Sequence, residues 1–365
     1  MSHLYVHIPF CRSRCAYCDF YSEPIEAYLQ MGIVSRYLQA LETELVQKAD
    51  GRVFRTIYVG GGTPTAVPRF LLRRLVDFLV QRVAQGYELT LEANPGTIDL
   101  GFLTELKAAG VTRLSVGIQS FNPQLRAILG RQVTQEEIHE ALEAISESGW
   151  ENWNLDLIFG IPGQTWQEVA SDLEAAIAAH PSHISLYDLT YTPAYQERID
   201  AMLGPGARRA AARFVEEYYQ LAVERLEAAG YVRYEISNYA QPGYECQHNL
   251  AYWTGEDYLG IGAAAVSTVG AERRTNSASV MRYLRGEEIQ SEILSPRTRL
   301  WERAMLGLRT RWGIDEEEMA EVIDQNAKNR LVELGCIEKC CGKLRISRSF
   351  LNVANSVIAA LLVQP

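Results

Sequence analysis

The chain has 365 residues, and 47% of them are hydrophobic, which is enough to bury one large core and a smaller one. Its formal net charge of −10 argues against nucleic acid or an anionic membrane surface as the main partner, because both attract basic proteins. The first residues lack the pattern of a secretory signal peptide, and the longest apolar run near the end, 357–363, is too short to cross a bilayer. We therefore expect a cytoplasmic protein with reduced cysteines and no transmembrane segment.

Short β-rich runs alternate with helical segments in the first half of the chain. The predicted strands cover residues 3–8, 56–59, 88–93, 113–118, 152–158 and 183–189. The predicted helices between them cover residues 25–48, 68–85, 100–109, 135–148 and 166–179. This alternation predicts an α/β fold of parallel βα units. Six such units predict a partial (β/α)6 barrel, an open version of the eightfold barrel.

The pattern changes beyond residue 190. The predicted elements are one amphipathic helix at 207–229, a strand at 231–239, two or three helices within 298–334, and a hairpin at 335–347 that turns at Gly342. Helices followed by a hairpin are typical of a winged-helix module. We therefore divide the chain into a barrel domain at 1–235 and a C-terminal α+β, winged-helix-like domain at 236–365. The acidic charge favours packing or partner contact for this module rather than binding to nucleic acid.

Three cysteines follow the first predicted strand within eight residues. Cys11, Cys15 and Cys18 have the spacing C-x₃-C-x₂-C. Thiolates so close in sequence can hold three corners of a cubic iron–sulfur cluster, whose irons are normally bound by cysteine. A site with three protein ligands leaves one iron open to a substrate or cofactor.

A structural zinc site is the alternative for these cysteines, because zinc prefers four protein ligands in tetrahedral geometry. His7, or the distant Cys246 and His248, would then complete the site. A disulfide is disfavoured, because three cysteines are an odd number and nothing indicates an oxidising compartment. The remaining cysteines are interpreted as incidental thiols rather than a second metal site: Cys336, Cys340 and Cys341.

Polar residues with glycine or proline recur where the predicted strands end, and in barrels the chemistry lies on the loops at that end. The segments concerned are 60–65, 92–95, 117–121 and 160–164. The glycine run at 60–62 would let a ligand approach the backbone closely. Glu92, Gln119 and Asp156 offer polar groups for a ribose or an amino group. A satisfied polar group at a strand end is the alternative for each of them.

Taken together, these motifs resemble the radical S-adenosylmethionine (SAM) enzymes. The segment Tyr5-Val-His-Ile-Pro-Phe10, the three cysteines after it, and the segments 60–65 and 117–121 are most similar to one branch of that family. This branch contains the oxygen-independent coproporphyrinogen III oxidases and their haem-chaperone relatives, and the resemblance extends through nearly the whole chain. It implies a [4Fe–4S] cluster whose open iron is chelated by SAM, and SAM cleavage to a 5′-deoxyadenosyl radical when the cluster is reduced.

The resemblance also assigns individual residues. It implies that Cys11, Cys15 and Cys18 bind the cluster. It implies that Tyr5 contacts the methionyl end of SAM and that the amino acid moiety is held by Gly61, Gly62 and Thr63. The other SAM contacts that it implies are Glu92, Gln119, Arg131, which matches by its spacing after Gln119, and Asp156.

Two features distinguish the chaperones from the oxidases within this branch. The oxidases carry an additional cysteine where this chain has Phe20, and an N-terminal segment for which ten residues before Cys11 leave no room. The pattern H-N-x-x-Y, from His248 to Tyr252, resembles a chaperone motif that is implicated in haem binding. His248 is therefore the candidate haem contact, with Cys246 as a second possible axial ligand. A histidine that fills a domain interface is the alternative.

The function implied by the resemblance is a haem chaperone that hands haem to a respiratory haem protein. Flavodoxin or ferredoxin would donate electrons, and the acceptor would bring the chain into peripheral contact with a membrane. An oxygen-independent coproporphyrinogen oxidase is the first alternative, and a zinc-stabilised binding protein is the second. The tetracarboxylate substrate of an oxidase would need basic groups, for which the candidates are Arg12, Arg14, Arg131 and Arg198.

Three positions depart from the family pattern. Relatives commonly have histidine at the positions of Val133 and Val266, and often a glutamate in the loop that contains Thr192. The cysteines and the SAM residues are unchanged. The departures therefore concern the haem or substrate side of the site, where a changed ligand is the alternative.

Overall fold

A mixed sheet of twelve strands organises the computed structural model, which describes residues 2–204, 215–287 and 289–364. The strands are β1 (His3–Ile8), β2 (Phe10–Cys11), β3 (Glu23–Pro24), β4 (Phe54–Gly61), β5 (Val83–Ala93), β6 (Arg113–Gln119), β7 (Trp153–Phe159), β8 (His183–Asp188), β9 (Val232–Arg233), β10 (Asn238–Ala240), β11 (Tyr258–Ile261), β12 (Val266–Val269), β13 (Glu272–Thr275), β14 (Gln290–Ile293), β15 (Ile314–Asp315), β16 (Ile337–Cys340) and β17 (Lys343–Ile346).

The helices cover the outer side of this sheet and build the C-terminal region. They are α1 (Ile25–Gln30), α2 (Ile33–Ala49), α3 (Arg69–Val80), α4 (Leu100–Ala108), α5 (Pro123–Ile128), α6 (Gln135–Glu147), α7 (Trp166–Ala178), α8 (Pro193–Leu203), α9 (Val215–Ala228), α10 (Gln247–Trp253), α11 (Val280–Leu284), α12 (Pro296–Gly307), α13 (Gln325–Glu333) and α14 (Ala354–Leu361). Residues 207–214 of the predicted helix 207–229 lie outside the described residues. None of the helices in the described ranges is long and apolar enough to cross a membrane.

The order of the strands confirms the predicted partial (β/α)6 barrel. Strands β1, β4, β5, β6, β7 and β8 lie side by side in chain order, and all their pairings are parallel. A seventh parallel strand, β11, pairs with the free side of β1 and was not predicted. Antiparallel strands extend both edges, β12 to β14 beyond β11, and β10 and β9 beyond β8.

Several predicted elements were wrong in their boundaries, among them the strand predicted at 88–93, which begins at Val83. The helix predicted at 25–48 is broken into α1 and α2 by Gly32, which has φ +64°. The helix predicted at 68–85 ends at Val80, because β5 already begins at Val83. The strand predicted at 231–239 is a pair of short antiparallel strands, β9 and β10, because the chain reverses between them.

The two faces of the barrel strands differ in character. Apolar side chains such as Leu4, Ile57 and Leu114 alternate with polar ones and belong to the main core, to which helix residues such as Leu41 and Leu72 also contribute. The polar side chains lie on the other, concave face and contact one another across neighbouring strands: His3, Thr56, Tyr58, Glu92, Ser115, Asn154, Asp156 and His183. The barrel therefore has a polar interior, and the functional residues belong to it.

The C-terminal part of the chain has a hydrophobic cluster of its own. Residues between Ala304 and Leu362 form this cluster, which includes Leu308, Leu344 and Ile358. The predicted hairpin is present as β16 and β17, turns at Cys341–Gly342, and pairs with β15 in a three-stranded antiparallel sheet. The large sheet meanwhile continues through residues 258–293. The domain boundary at 235/236 and the winged-helix likeness stay predictions.

Candidate functional site

The loop that carries the three cysteines leaves β1 at the carboxyl end of the strand. Cys11, Cys15 and Cys18 are free thiols and partly exposed. The loop is fastened to the turn after α5, where the Ala16 backbone N–H donates to the Leu129 carbonyl over 3.1 Å. Gly130 leaves room for this contact, since a Cβ there would lie 2.9 Å from the Ala16 Cβ. The packing of α5 therefore sets the position of the cysteine loop.

Two polar side chains contact the thiols. Thr63 Oγ1 donates to Cys11 Sγ over 3.6 Å, and Arg131 Nη1 donates to Cys15 Sγ over 3.7 Å. Burial raises the pKa of the Cys11 and Cys18 thiols, and the Thr63 hydrogen bond opposes that shift at Cys11. Thiolate ligands of a metal are deprotonated. A guanidinium and a hydroxyl directed at sulfur are therefore groups that would stabilise the charged form.

The residues suggested for completing a zinc site are either distant from the cysteines or already hydrogen-bonded. His248 bonds Thr56 near the amino end of β4, roughly 17 Å along that strand from Gly61, at about 3.3 Å per residue. Both ring nitrogens of His7 already have hydrogen-bond partners. Throughout the described ranges, no group of three or more His, Cys, Asp or Glu side chains is arranged to hold a metal ion. The cysteines share one loop, and their role as ligands stays a prediction.

The glycine run packs against the end of β1. The Gly62 N–H donates to the Ile8 carbonyl over 2.9 Å, and the Thr63 N–H donates to the Phe10 carbonyl over 2.7 Å. A Cβ at Gly62 would lie 2.7 Å from the Phe10 carbonyl oxygen, and Gly61 has φ +108°. These positions thus need glycine to join β4 to the start of the cysteine loop. Their predicted contact with a ligand would use the same close approach.

Glu92 is held inside the rim by two donors. Tyr58 O–H donates to Oε1 over 2.8 Å, and the Gly61 N–H donates to Oε2 over 3.0 Å. Burial raises the pKa of Glu92 to about 7, and the charge of Asp156 adds to the shift. Near neutral pH the Glu92 carboxyl can therefore either donate or accept a hydrogen bond, and both kinds of bond suit an amino or hydroxyl group of a ligand.

Gln119 and Arg131 share a space that Gly117 leaves open. A Cβ at Gly117 would lie 2.9 Å from Gln119 Nε2 and 3.2 Å from Arg131 Nη2, which donates to the Gly117 carbonyl. Gln119 has φ +73°, and its Oε1 is buried without a hydrogen-bond partner. An unpaired buried acceptor beside the cysteine loop is what a polar ligand would satisfy. The unpaired Gln119 oxygen and the Arg131 donors therefore offer polar contacts that SAM would need.

Asp156 and Tyr5 already make contacts within the interior. Asn154 Nδ2 donates to Asp156 Oδ1 over 2.8 Å, and burial raises the pKa of this carboxyl. Tyr5 O–H lies 3.0 Å from His7 Nδ1, while His7 Nε2 lies 3.0 Å from the Tyr21 carbonyl oxygen. A carbonyl only accepts, so Nε2 carries the proton and Nδ1 accepts from Tyr5. While it donates to His7, the Tyr5 oxygen can still accept a hydrogen bond from a ligand.

His248 lies at the other end of the strands from the cysteines. Its ring is 1% exposed, with Nδ1 2.7 Å from Thr56 Oγ1 and Nε2 3.0 Å from Tyr252 Oη. Burial lowers the pKa of His248 to about 3, so the ring is a neutral imidazole. A neutral imidazole nitrogen is a common axial ligand of haem iron. Cys246 is fully buried beside it. A haem contact at His248 would require Tyr252 to give up its bond and α10 to open.

The opposite face of α10 borders a cavity. Leu250 and Trp253 line a space of about 450 Å³ together with Trp312, Met319, Arg303 and Lys343 from the C-terminal region. This volume falls within the range of small-ligand pockets. Helix α10 thus separates the polar interior of the barrel from an open cavity.

The sequence interpretation missed the interior residues that support the site, among them Tyr58, Thr56 and His3. The signal was present as a two-residue alternation of polar side chains within strands that were considered only as buried. At the departures from the family pattern, Thr192 caps α8 by accepting from the Tyr195 N–H over 3.2 Å. The Val133 carbonyl accepts from Arg126 Nε over 3.2 Å, and Val266 begins β12.

Comparisons with known proteins show what the chain is similar to. Residues 5–176 match the family described as the radical SAM superfamily. The chain is 36% identical over 349 residues to "Heme chaperone HemW" of Synechocystis sp.. The alignment covers 90% of this chain and 82% of that protein. The chain is 34% identical over 339 residues to the protein of the same name from Bacillus subtilis, covering 88% and 86%.

The fold also has a solved counterpart. Coproporphyrinogen III oxidase (HemN) from Escherichia coli, described as a radical SAM enzyme, superposes with a TM-score of 0.81. The superposition covers 98% of this chain and 89% of that one, at 24% sequence identity. At this identity the likeness concerns the fold: an α/β radical SAM architecture.

Proposed function

Because the chain belongs to the HemW family of the radical SAM superfamily, we propose that it is a haem chaperone. It binds a [4Fe–4S] cluster at Cys11, Cys15 and Cys18, SAM beside the cluster, and haem, which it delivers to an acceptor protein. The observation that supports this most is the pair of bonds from Thr63 to Cys11 and from Arg131 to Cys15, next to the unpaired Gln119 Oε1.

At the rim, we assign roles to the chain's own residues from the family resemblance together with their contacts. Arg131 and Thr63 stabilise thiolates, and the segment from Gly61 to Thr63 beside them holds the amino acid moiety of SAM. Glu92, Gln119 and Asp156 bind its polar groups, and Tyr5 its methionyl end. When bound, the cluster and SAM supply reductive cleavage of the sulfonium to a radical.

We assign haem to His248, on the resemblance of the H-N-x-x-Y motif and on the neutral state of its ring. The acceptor is a respiratory haem protein, met in peripheral contact with the membrane, and the electron donor is flavodoxin or ferredoxin. The chaperone works in the cytoplasm. Each of these assignments extends the family relation to this chain.

Two measurements test the cofactor site. After anaerobic reconstitution, we expect about four irons and four sulfides per chain, and far less iron in Cys18→Ala. Cys341→Ala is the matched control, because Cys341 is exposed and lies in the hairpin turn far from the rim. Zinc without sulfide in the purified chain would overturn the proposal in favour of a zinc-stabilised binding protein.

A third measurement separates the chaperone from the oxidase. Reconstituted chain is incubated anaerobically with SAM, a strong reductant and coproporphyrinogen III, and 5′-deoxyadenosine and porphyrins are followed by chromatography. We expect no decarboxylated porphyrin, together with tight binding in a separate haem titration that His248→Ala weakens. Protoporphyrinogen formed in step with 5′-deoxyadenosine would identify an oxidase.

A further inference from the structure

A chain of hydrogen bonds connects the surface to His248 through the polar interior. Glu256 Oε2 lies 3.0 Å from His3 Nε2, His3 Nδ1 lies 2.8 Å from Thr56 Oγ1, and Thr56 Oγ1 lies 2.7 Å from His248 Nδ1. His3 and Thr56 are 4% and 2% exposed, whereas the Glu256 side chain is 49% exposed. The four groups belong to three separate parts of the chain, so the fold brings them together.

The direction of these bonds follows from what each group can donate. A carboxylate only accepts, so His3 Nε2 carries the proton that it shares with Glu256. With a single proton on His3, the other nitrogen, Nδ1, accepts from the Thr56 hydroxyl. That hydroxyl has a single proton, so its oxygen accepts from His248 Nδ1–H. The proton of His248 is thereby placed on Nδ1, and Nε2 is left with its lone pair.

Tyr252 completes the arrangement on the far side of the ring. Its hydroxyl lies 3.0 Å from His248 Nε2 and donates to that lone pair. Ring contacts hold Tyr252, which meets His248 edge-on at 4.9 Å and Tyr258 edge-on at 4.5 Å. Tyr58 also lies against the ring, with 5.3 Å between centroids. The nearby charged groups are the Glu88 carboxylate, which accepts from the His248 backbone N–H over 3.0 Å, and the buried Arg113 guanidinium. Neither of these charged groups is hydrogen-bonded to the ring.

We propose that Glu256, His3 and Thr56 are positioning residues that fix the Nδ1–H tautomer of His248, and that the Tyr252 hydroxyl is a displaceable cap on Nε2. Metal-ligating histidines usually donate the other ring N–H to a partner, which sets the tautomer and raises the basicity of the ligating nitrogen. Thr56 is that partner for His248. The inference rests on the proposed assignment of haem to His248 and extends it to residues outside the H-N-x-x-Y motif.

The tautomer is testable without haem. The chain is labelled with ¹⁵N-histidine, and the ring nitrogens are read by long-range ¹H–¹⁵N correlation, with His248→Gln assigning the signals. We expect a protonated Nδ1 and an unprotonated Nε2 for His248, retained in Thr56→Ser and lost in Thr56→Val. A protonated Nε2 in the unsubstituted chain, or an unchanged tautomer in Thr56→Val, would show that the hydrogen bonds from Glu256 through His3 and Thr56 do not set the tautomer of His248.

Haem titration followed by absorption spectroscopy tests the consequence. We expect Thr56→Val to weaken haem binding about tenfold and Thr56→Ser to restore it. Tyr252→Phe should bind haem at least as tightly as the unsubstituted chain, because no bond to Nε2 has to be broken. Weaker haem binding in His248→Gln, with unchanged binding in Thr56→Val, would contradict the role of Thr56 but not the assignment of haem to His248. Unchanged binding in His248→Gln would instead contradict the haem assignment, whatever the tautomer.

Discussion

At the scale of single residues, the glycines at the end of β4 show how tightly the cofactor loop is built. A Cβ at Gly62 would lie between 2.7 and 2.9 Å from backbone atoms of Phe10 and Ile8, which cannot move without disturbing β1. Side chains can often give way to a new methyl group, but a strand backbone cannot do so cheaply. The position is therefore intolerant of any side chain.

We predict that Gly62→Ala destabilises the chain by about 2 kcal/mol or more and lowers the iron retained after reconstitution. Urea unfolding and iron analysis measure the two effects. Gly101→Ala is the control, because this glycine lies in α4 and its Cβ would meet nothing closer than 3.5 Å. That variant should be neutral or slightly more stable, since alanine favours helix. Equal stability of the two variants would refute the steric argument.

Glu92 supports a prediction about pH. Its pKa is raised to about 7 in the folded chain, chiefly by burial, from an ordinary value of 4.5. A raised carboxyl pKa means that the protonated form favours the native state. The stability it contributes is therefore complete below about pH 4.5 and is lost as the pH rises through 7.

Replacing Glu92 by glutamine should remove that dependence. Between pH 5 and pH 8 we expect the stability of Glu92→Gln, relative to the unsubstituted chain, to rise by about 2 kcal/mol. Urea unfolding of both proteins at the two pH values gives this difference directly. Any effect of the substitution that does not depend on pH cancels in the comparison. If both proteins respond identically to pH, Glu92 is ionised throughout and the proposed environment is wrong.

At the scale of elements, the turn after α5 controls the cysteine loop through Gly130. This glycine has φ +69°, and its Cβ position touches Ala16, between the cysteines. Gly149 follows α6 with φ +62° and would meet only Lys107 Nζ at 3.8 Å. The two positions share a left-handed backbone and differ in the contact.

We predict that Gly130→Ala and Gly149→Ala both lose about 1 kcal/mol from backbone strain, and that only Gly130→Ala also releases iron faster. Chelator-induced bleaching of the reconstituted chain measures the release. Similar release rates for the two variants would mean that the cysteine loop does not depend on the α5 turn.

The elements that were predictable from sequence are those with local signals. Three cysteines after an apolar strand, and glycine or proline at strand ends, correctly indicated the rim and the βα order. Strand β11 could not be predicted in this way, because it is four residues long and its partner β1 lies some 250 residues earlier. The start of β5 was missed for a related reason. Val83 and Ala84 are compatible with a helix as well as with a strand, and it is the pairing with β4, distant in sequence, that makes this segment a strand.

At the scale of the whole molecule, the buried titratable groups give the fold two opposed responses to acid. Burial lowers the pKa of His7 to about 4 and of His248 to about 3, and lowers that of His183 as well. These rings favour the native state when neutral, so their contribution is lost as the pH falls below 6.5. Buried carboxyls respond in the opposite sense, with pKa values of about 7 for Glu92 and Glu235 and about 6 for Asp172.

Between pH 7 and pH 5, the stability gained from the carboxyls should offset the stability lost from the histidines. At lower pH the loss should exceed the gain. Below about pH 4.5 the two glutamates gain nothing further, and only Asp172 still opposes the continued loss from the histidines, so stability should fall more steeply there. His248→Gln should reduce the loss between pH 7 and pH 4.5 by about 2 kcal/mol. His139→Gln, at an exposed position on α6, is the control and should follow the unsubstituted profile. Chemical unfolding from pH 8 to pH 4 measures all three, and a steady decline from pH 7 would show that the carboxyls do not counter the histidines.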